Sequence, residues 1–236
     1  MFTKSARFYD ALYAWKDYQT EAQRLREILQ AHGVEDEARV LDVACGTGVH
    51  IADLKEHYVV EGLDLDPALL AIARERNPEI AFHQGDMVDF RLGKQFDAVL
   101  CLFSAIGYAR TISGLNQALV SMAHHARQGG LVVVEPWLMP DVYKVGGVHS
   151  LFVDQPELKI ARMNLSGLED GISILHFHYL VGTPAGIEYF TERHELGLFA
   201  HDDYLAAFHT AGLEVEYNPE GLMGRGLYVG TLKREA

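Results

Sequence analysis

Three acids and one glycine-rich turn carry the most chemical content in this chain. The apolar run Val40, Leu41, Asp42, Val43, Ala44 and Cys45 leads into Gly46, Thr47 and Gly48, and glycines at such a point let a backbone approach a ligand closely. A nucleotide fingerprint of the Gly-x-Gly-x-x-Gly type needs a third glycine where Ile51 stands, so the turn is poorly suited to a pyrophosphate. Asp42 points the same way, because a carboxylate ahead of the turn favours an ammonium or sulfonium neighbour over a phosphate. Asp64, 18 residues after Gly46, stands where an acid accepts from both hydroxyls of a ribose. Gly85, Asp86 and Met87 place another acid where it can accept from an adenine amino group. Taken singly each is ordinary turn chemistry. Taken in order, they describe a nucleoside that carries a positive charge.

These residues need a scaffold that brings successive strand ends together. Strand-like runs at residues 39–44, 58–63, 80–83, 96–103 and 131–135 are almost continuously apolar, as in strands buried on both faces. Helix-like stretches alternate with them, which predicts a parallel sheet covered by helices, an α/β doubly wound fold. The spacing of Ala22, Leu25, Ile28 and Leu29 predicts a leading helix over residues 17–32, with Asp17 as N-cap and Gly33 as its stop. Asp66 and Pro67 open another helix that Asn77 and Pro78 close, and residues 113–127 form a third, with Leu115, Ala118, Met122 and His125 on one stripe and His124 off it. After Pro140 the pattern changes, and residues 150–199 alternate at period two with no convincing helix, which predicts an antiparallel β-layer inserted over 148–199 between core segments 1–147 and 200–236. A last helix at 202–211 and strands at 213–217 and 226–232 complete the core.

With 236 residues, 49% of them hydrophobic, the chain is long enough for one well-buried core. Asp and Glu number 33 against 20 Lys and Arg, so the summed field repels nucleic acid and anionic membrane, although local basic residues can still hold one small anion. Cys45 and Cys101 sit inside apolar stretches and read as buried thiols of a reducing compartment. No apolar run is long enough to span a bilayer, which gives the expectation of a cytoplasmic protein.

The motif order over residues 42–48, Asp64, Gly85 to Met87 and residues 96–103 resembles the Rossmann-like class I S-adenosylmethionine-dependent methyltransferases. The resemblance implies S-adenosylmethionine as cofactor and S-adenosylhomocysteine as product. It implies Gly46 and Gly48 beside the methionine part, Asp64 on the ribose, Asp86 and Met87 around adenine and Phe103 near the sulfonium, with Tyr18, Asp42, Ala44 and Leu65 completing the set. Longer blocks, among them Phe103-Ser104-Ala105-Ile106-Gly107-Tyr108, Glu135-Pro136-Trp137 and Gly224-Arg225-Gly226-Leu227, are similar to the amino-sugar N,N-dimethyltransferases of macrolide biosynthesis. That similarity spans nearly the whole chain and implies a dTDP-linked amino sugar as small-molecule substrate, an amine methylated twice and a homodimer. The segment between Tyr13 and Lys16 and the loop after Pro140 are shorter than that family's pattern, which leaves another small-molecule acceptor, a free amine, a carboxylate or a hydroxyl, as the alternative.

Such a reaction needs a neutral amine, since an ammonium has no lone pair. His125 is the candidate base, on its helix stripe and at a position matched by a histidine in the resembled family; a core histidine with a satisfied ring is the alternative reading. Arg225 can fork onto a diphosphate, or be an ordinary solvated arginine. Tyr9, Tyr13, Trp137, His178 and Tyr179 complete the expected substrate-binding set, against the alternative that aromatics at this spacing are core. His176 and His178 share a strand face and with Glu195 hint at a metal, yet no third and fourth ligand spacing accompanies them, so no metal is expected.

Overall fold

A computed structural model describes residues 4–233. A 3₁₀ turn (Ala6–Phe8) and a one-turn helix α1 (Tyr9–Leu12) open the chain, followed by α2 (Tyr18–Ala31). The Asp17 carboxylate caps α2 by accepting from the Thr20 N–H at 3.0 Å and the Thr20 hydroxyl at 2.7 Å. Alternation then follows: β1 (Arg39–Val43), α3 (Val49–Leu54), β2 (Val59–Asp64), α4 (Pro67–Arg76), β3 (Ala81–Gln84), β4 (Phe96–Cys101), a 3₁₀ turn (Ala105–Ala109), α5 (Ile112–His125) and β5 (Ala126–Val134). Four long strands come next, β6 (Val148–Gln155), β7 (Leu158–Glu169), β8 (Ile172–Thr183) and β9 (Gly186–Gly197), then α6 (His201–Thr210), β10 (Leu213–Asn218) and β11 (Leu227–Leu232).

The seven-stranded sheet has the order β10-β11-β5-β4-β1-β2-β3, parallel from β5 to β3, with β11 antiparallel to β5 and β10 antiparallel to β11. The order reverses between β1 and β4, and the crevice at such a switch point is where an open parallel sheet takes its ligand. One sheet face packs under α2 and α3, through Leu25, Leu29, Ile51 and Leu54 against Val40, Leu100 and Val133. The other packs under α5 and α6, through Leu115, Met122, Tyr204 and Phe208 against Val99, Val132 and Tyr228. The strands β6 to β9 form a separate antiparallel sheet, whose inner face carries a third cluster, Val153, Ile160, Phe177, Tyr179, Val181 and Phe190, closed by Phe8 and Leu12 from the N-terminal segment. Among the described residues no helix is long and apolar enough to cross a membrane.

The differences from the expected elements sit at their ends. Strand β4 stops at Cys101 although the apolar run continues, because Phe103 and Ser104 turn into the left-handed region at φ 50° and 61°. Helix α5 stops at His125, and β5 begins at Ala126, five residues before its apolar run.

Candidate active site

The turn after β1 is shaped by positive φ values at Ala44 (60°), Gly46 (57°) and Gly48 (69°). The Gly46 N–H donates to Asp64 Oδ2 at 2.8 Å, and the Asp66 N–H donates to Asp64 Oδ1 at the same distance, so one carboxylate at the end of β2 fixes both the glycine turn and the start of α4. Burial raises the Asp64 pKa, opposed by those N–H groups. Asp42 is 2% exposed, and burial, with repulsion from Asp64, pushes its carboxyl up to about 8. A cation bound here would restore the carboxylate, so the pair suits a positively charged ligand. Gly48 lies off the cavity: it precedes α3, and a Cβ on it would come within 3.0 Å of Asn77 Nδ2 and 3.3 Å of Ala73 Cβ. Its role is close packing of the turn on α4.

One cavity of about 730 Å³ opens where the carboxyl ends of β1, β2 and β4 face the inner side of β7, β8 and β9. At one end stand Ala44, Gly46, Asp64, Leu65, Asp86 and Met87. Asp86 is exposed, and its Oδ1 accepts from the Val88 N–H at 3.1 Å, while Met87 and Leu65 offer apolar surface for a flat ring. A smaller adjoining pocket is lined by Tyr18 and Asp42 together with Gly46, Thr47, His50 and Phe103. Beneath it lies a buried ionic cluster: Lys16 pairs with Glu21, and His50 Nε2 lies 3.0 Å from the same Glu21 oxygen. Burial works to raise Glu21, and hydrogen bonds from His50 and Lys16 outweigh it and hold the carboxyl below its usual range. The Lys16 ammonium stands 4.5 Å from the Phe103 ring centre and 4.7 Å from that of Tyr18.

Tyr9, Tyr13, Phe103 and Trp137 wall the middle of the cavity. Tyr13 meets Phe103 edge to face at 5.2 Å and accepts from Arg162 Nη1 at 3.2 Å. The Trp137 indole N–H donates to Ser173 Oγ at 3.0 Å, tying the wall to β8. The same cavity is lined by Arg110, Lys144, Arg162, Arg193 and Arg225, in a chain of net charge −13, with Arg110 and Arg193 paired to Glu195. Arg225 Nη1 donates to Ser104 Oγ at 3.1 Å, its guanidinium 5.7 Å from the Phe103 ring and 5.8 Å from that of Trp137, so it is a held group, not a solvated one.

Besides Gly48, three expected residues reach neither the cavity nor the adjoining pocket. His125 is fully buried: its Nε2 accepts from the Leu92 N–H at 2.9 Å, its Nδ1 donates to the Ser121 carbonyl at 2.7 Å, and its ring stacks on Phe90 at 4.2 Å. Burial lowers its pKa, and with its one lone pair occupied by an amide it is a core histidine, not a base. Tyr179 is also fully buried, stacked on Phe190 at 4.7 Å in the third cluster. His178, one residue before it, points to the opposite face of β8, exposed, 2.6 Å from the Tyr189 hydroxyl. The inner face instead offers Leu175 and Phe177. His176 lies on the outer face 3.0 Å from Arg193 Nη1, and Glu195 pairs with Arg193. Among the described residues no group of three or more His, Cys, Asp and Glu side chains is placed to hold a metal ion.

Other site residues escaped the sequence reading. Glu135 is fully buried just after β5, and its Oε2 accepts from the Phe103 N–H at 2.6 Å, holding the left-handed turn that faces the cavity. The Ser104 hydroxyl donates to the Pro136 carbonyl at 2.7 Å. An acid directly after a central strand, inside the block Glu135-Pro136-Trp137, is the signal that marks this position. Asp10 accepts from the Thr47 hydroxyl at 2.7 Å and pairs with Arg76, clasping the glycine turn from the N-terminal segment. Nothing in local spacing marks Asp10.

A methyltransferase-domain family matches residues 40–130. Over 229 residues the chain is 42% identical to the dTDP-3-amino-3,6-dideoxy-alpha-D-glucopyranose N,N-dimethyltransferase of Streptomyces fradiae, covering 95% of this chain and 89% of that one. It is 40% identical over 233 residues to the dTDP-3-amino-3,4,6-trideoxy-alpha-D-glucopyranose N,N-dimethyltransferase of Streptomyces venezuelae, covering 95% and 96%. The chain belongs to the dTDP-amino-sugar N,N-dimethyltransferases. Solved structures agree with that family over the whole length. DesVI of Streptomyces venezuelae superposes with a TM-score of 0.90 at 39% identity, covering 98% of this chain and 99% of that one. CalS10, an amino pentose methyltransferase of Micromonospora echinaspora solved with S-adenosylmethionine bound, gives 0.86 at 36%, covering 99% and 98%. As a dimethyltransferase-family member the chain is a methyltransferase with S-adenosylmethionine as its methyl donor, the cofactor that the glycine turn and the strand-end acids imply.

Proposed function

We propose that this chain methylates the amine of a dTDP-linked amino sugar and carries it to the N,N-dimethyl product, working as a homodimer in the cytoplasm. The observation that carries this reading is that one cavity is lined both by Gly46, Asp64 and Asp86 and by Arg110, Arg162 and Arg225. A cationic nucleoside suits the acids, and guanidinium groups suit a diphosphate. Gly46 and Asp42 would hold the methionine part of the donor, Asp64 its ribose, and Asp86 with Met87 and Leu65 its adenine. S-adenosylmethionine supplies a methyl group on cationic sulfur that is already activated toward an amine.

What the chain supplies is position. Holding two reactants in line is worth about 7–11 kcal/mol in well-oriented systems. Tyr9, Tyr13, Phe103 and Trp137 line the same cavity as the acids and the arginines. In this reading residues 1–147 and 200–236 are the cofactor core, and residues 148–199 are the layer that completes the substrate site, consistent with Arg162, Asn164 and Phe177 on the cavity wall. The two cysteines are free, which suits a reducing compartment. The outer face of the four-stranded sheet leaves Phe152, Met163, Leu165, Leu180 and Tyr189 exposed, an apolar patch that a second copy of the chain would cover.

The test is to incubate the protein with a dTDP-amino sugar and S-adenosylmethionine labelled in its methyl group, and to locate the label by NMR. Label on nitrogen is expected. Label on oxygen, or transfer only to amines that bear no nucleotide, would replace this acceptor with another.

A further inference from the structure

This inference rests on the amine-acceptor reading above. The substrate ammonium must lose a proton before it can react, and His125 does not reach the cavity. The acids there are engaged: Asp64 by the Gly46 and Asp66 N–H groups, Asp66 by the Ala68 N–H, Asp86 by the Val88 N–H, and Glu195 by Arg193 and, at 3.5 Å, Arg110. A different set of groups stands along the wall formed by the 3₁₀ turn at Ala105–Ala109 and β9. Tyr108 lines the cavity, and its oxygen lies 2.6 Å from Nδ1 of His194, which is 1% exposed. Nε2 of that ring is 3.6 Å from Oε2 of Glu192, two residues away on the same face of β9, a contact of charge rather than a hydrogen bond.

Glu192 is 6% exposed and firmly held. Its Oε1 accepts from the Lys4 and Ser5 backbone N–H groups at 2.9 and 3.0 Å, and its Oε2 accepts from the Ser5 hydroxyl. A carboxylate on the Nε2 side favours the tautomer with its proton on Nε2, leaving Nδ1 to accept from the Tyr108 O–H. Gly107 keeps the turn pressed on β9: a Cβ there would come within 3.0 Å of Leu196 and 3.1 Å of Trp137.

We propose that Tyr108, His194 and Glu192 form a proton relay in which Tyr108 is the catalytic residue that takes the proton from the substrate ammonium, with His194 and Glu192 as positioning residues behind it. The N–H bond of the ammonium breaks and its proton passes to the Tyr108 oxygen. At the same time the Tyr108 proton passes to His194 Nδ1. Nitrogen keeps the electron pair, the phenol is restored, and His194 becomes an imidazolium facing the Glu192 carboxylate. Each methyl transfer needs one such deprotonation, so before the second the imidazolium returns its proton through the Tyr108 hydroxyl to water in the cavity. Burial pushes the Tyr108 phenol well up, which keeps it a neutral shuttle and not a phenolate. Burial lowers the His194 pKa, opposed by Glu192, which favours the neutral ring that the relay starts from.

Tyr108→Phe and His194→Gln, each assayed across pH on a sugar nucleotide that the wild-type protein methylates, test the relay. The expected result is a fall in kcat of about 10²-fold or more at pH 7, the usual worth of general-base catalysis, with recovery where the substrate amine is neutral in solution. S-adenosylhomocysteine binding, measured by calorimetry, stays at the wild-type level. An unchanged kcat at pH 7 in both variants, or an equal loss at every pH, would overturn the relay. A second readout does not depend on turnover: nitrogen-15 NMR of His194 in the wild-type protein with S-adenosylhomocysteine at pH 7. A neutral ring with Nδ1 accepting a hydrogen bond that Tyr108→Phe removes is expected, whereas an Nδ1–H tautomer or an imidazolium would contradict it. Wild-type protein that methylates no amino sugar would overturn the acceptor reading, and the NMR result would then decide the relay by itself.

Discussion

Asp42 shows how a single residue links charge to ligand. Its carboxyl is raised from 3.8 to about 8 in the folded protein, first by burial and then by Asp64. The folded state therefore binds a proton that the unfolded state has released between those two values, and the stability of the ligand-free protein falls as pH rises from about 4 to about 8. The proposed contact of Asp42 with the cationic donor would favour the carboxylate, so cofactor binding is expected to release that proton and to tighten as pH rises toward 8. Calorimetry of S-adenosylmethionine binding in buffers of different ionisation enthalpy should show the release, and Asp42→Asn should abolish it while weakening binding about tenfold or more. His125 makes a contrasting prediction. Removing it in His125→Ala strands the Leu92 N–H and empties the space stacked on Phe90, and stability should drop by about 2–4 kcal/mol in denaturant unfolding, with kcat of the folded protein unchanged. Helical phase was enough to read His125 as inward-facing. Whether inward meant cavity or core depended on the loop bearing Leu92, which no periodicity connects to α5. The acids Asp42, Asp64 and Asp86 were legible for the opposite reason, since each stands at a strand end and the fold class alone decides what strand ends face.

At the level of elements, the turn after β4 carries the most stored strain near the chemistry. Phe103 and Ser104 are non-glycine residues in the left-handed region, at a typical cost of about 1–3 kcal/mol each, and Glu135 is the group that holds them there. Glu135→Gln keeps an acceptor for the Phe103 N–H and should retain most activity. Glu135→Ala removes it, and kcat/KM for S-adenosylmethionine should fall about tenfold or more. An apolar run past Cys101 reads as strand because composition does not report φ, which is why the end of β4 and the role of Glu135 were both invisible. The β-layer was legible as a layer because period two survives over long strands. Its facing was harder to assign: both faces of β8 carry large side chains, and only the packing of Phe8 and Leu12 against Phe177 and Tyr179 makes one face the inside. His178 therefore ended on the outside, where it stands beside Tyr189.

Over the whole molecule, the two sheets enclose the cavity between them, and the outer face of the smaller sheet is left apolar. Exposed Phe152 (67%) and Tyr189 (62%) sit on that face, and placing a charge on it should dissociate a dimer that buries it. Phe152→Glu is expected to sediment as a monomer at concentrations where the wild-type chain is a dimer; a wild-type monomer, or a variant that still dimerises, would remove this face as the interface. The cavity poses the larger question, since its acids suit a cationic nucleoside and its arginines suit a diphosphate. The most direct measurement is mass spectrometry of a panel of dTDP-amino sugars incubated with the protein and S-adenosylmethionine. The expected result is a gain of two methyl masses on at least one sugar nucleotide, with two equivalents of S-adenosylhomocysteine formed. No mass gain on any member of the panel, from protein that binds S-adenosylmethionine, would contradict it.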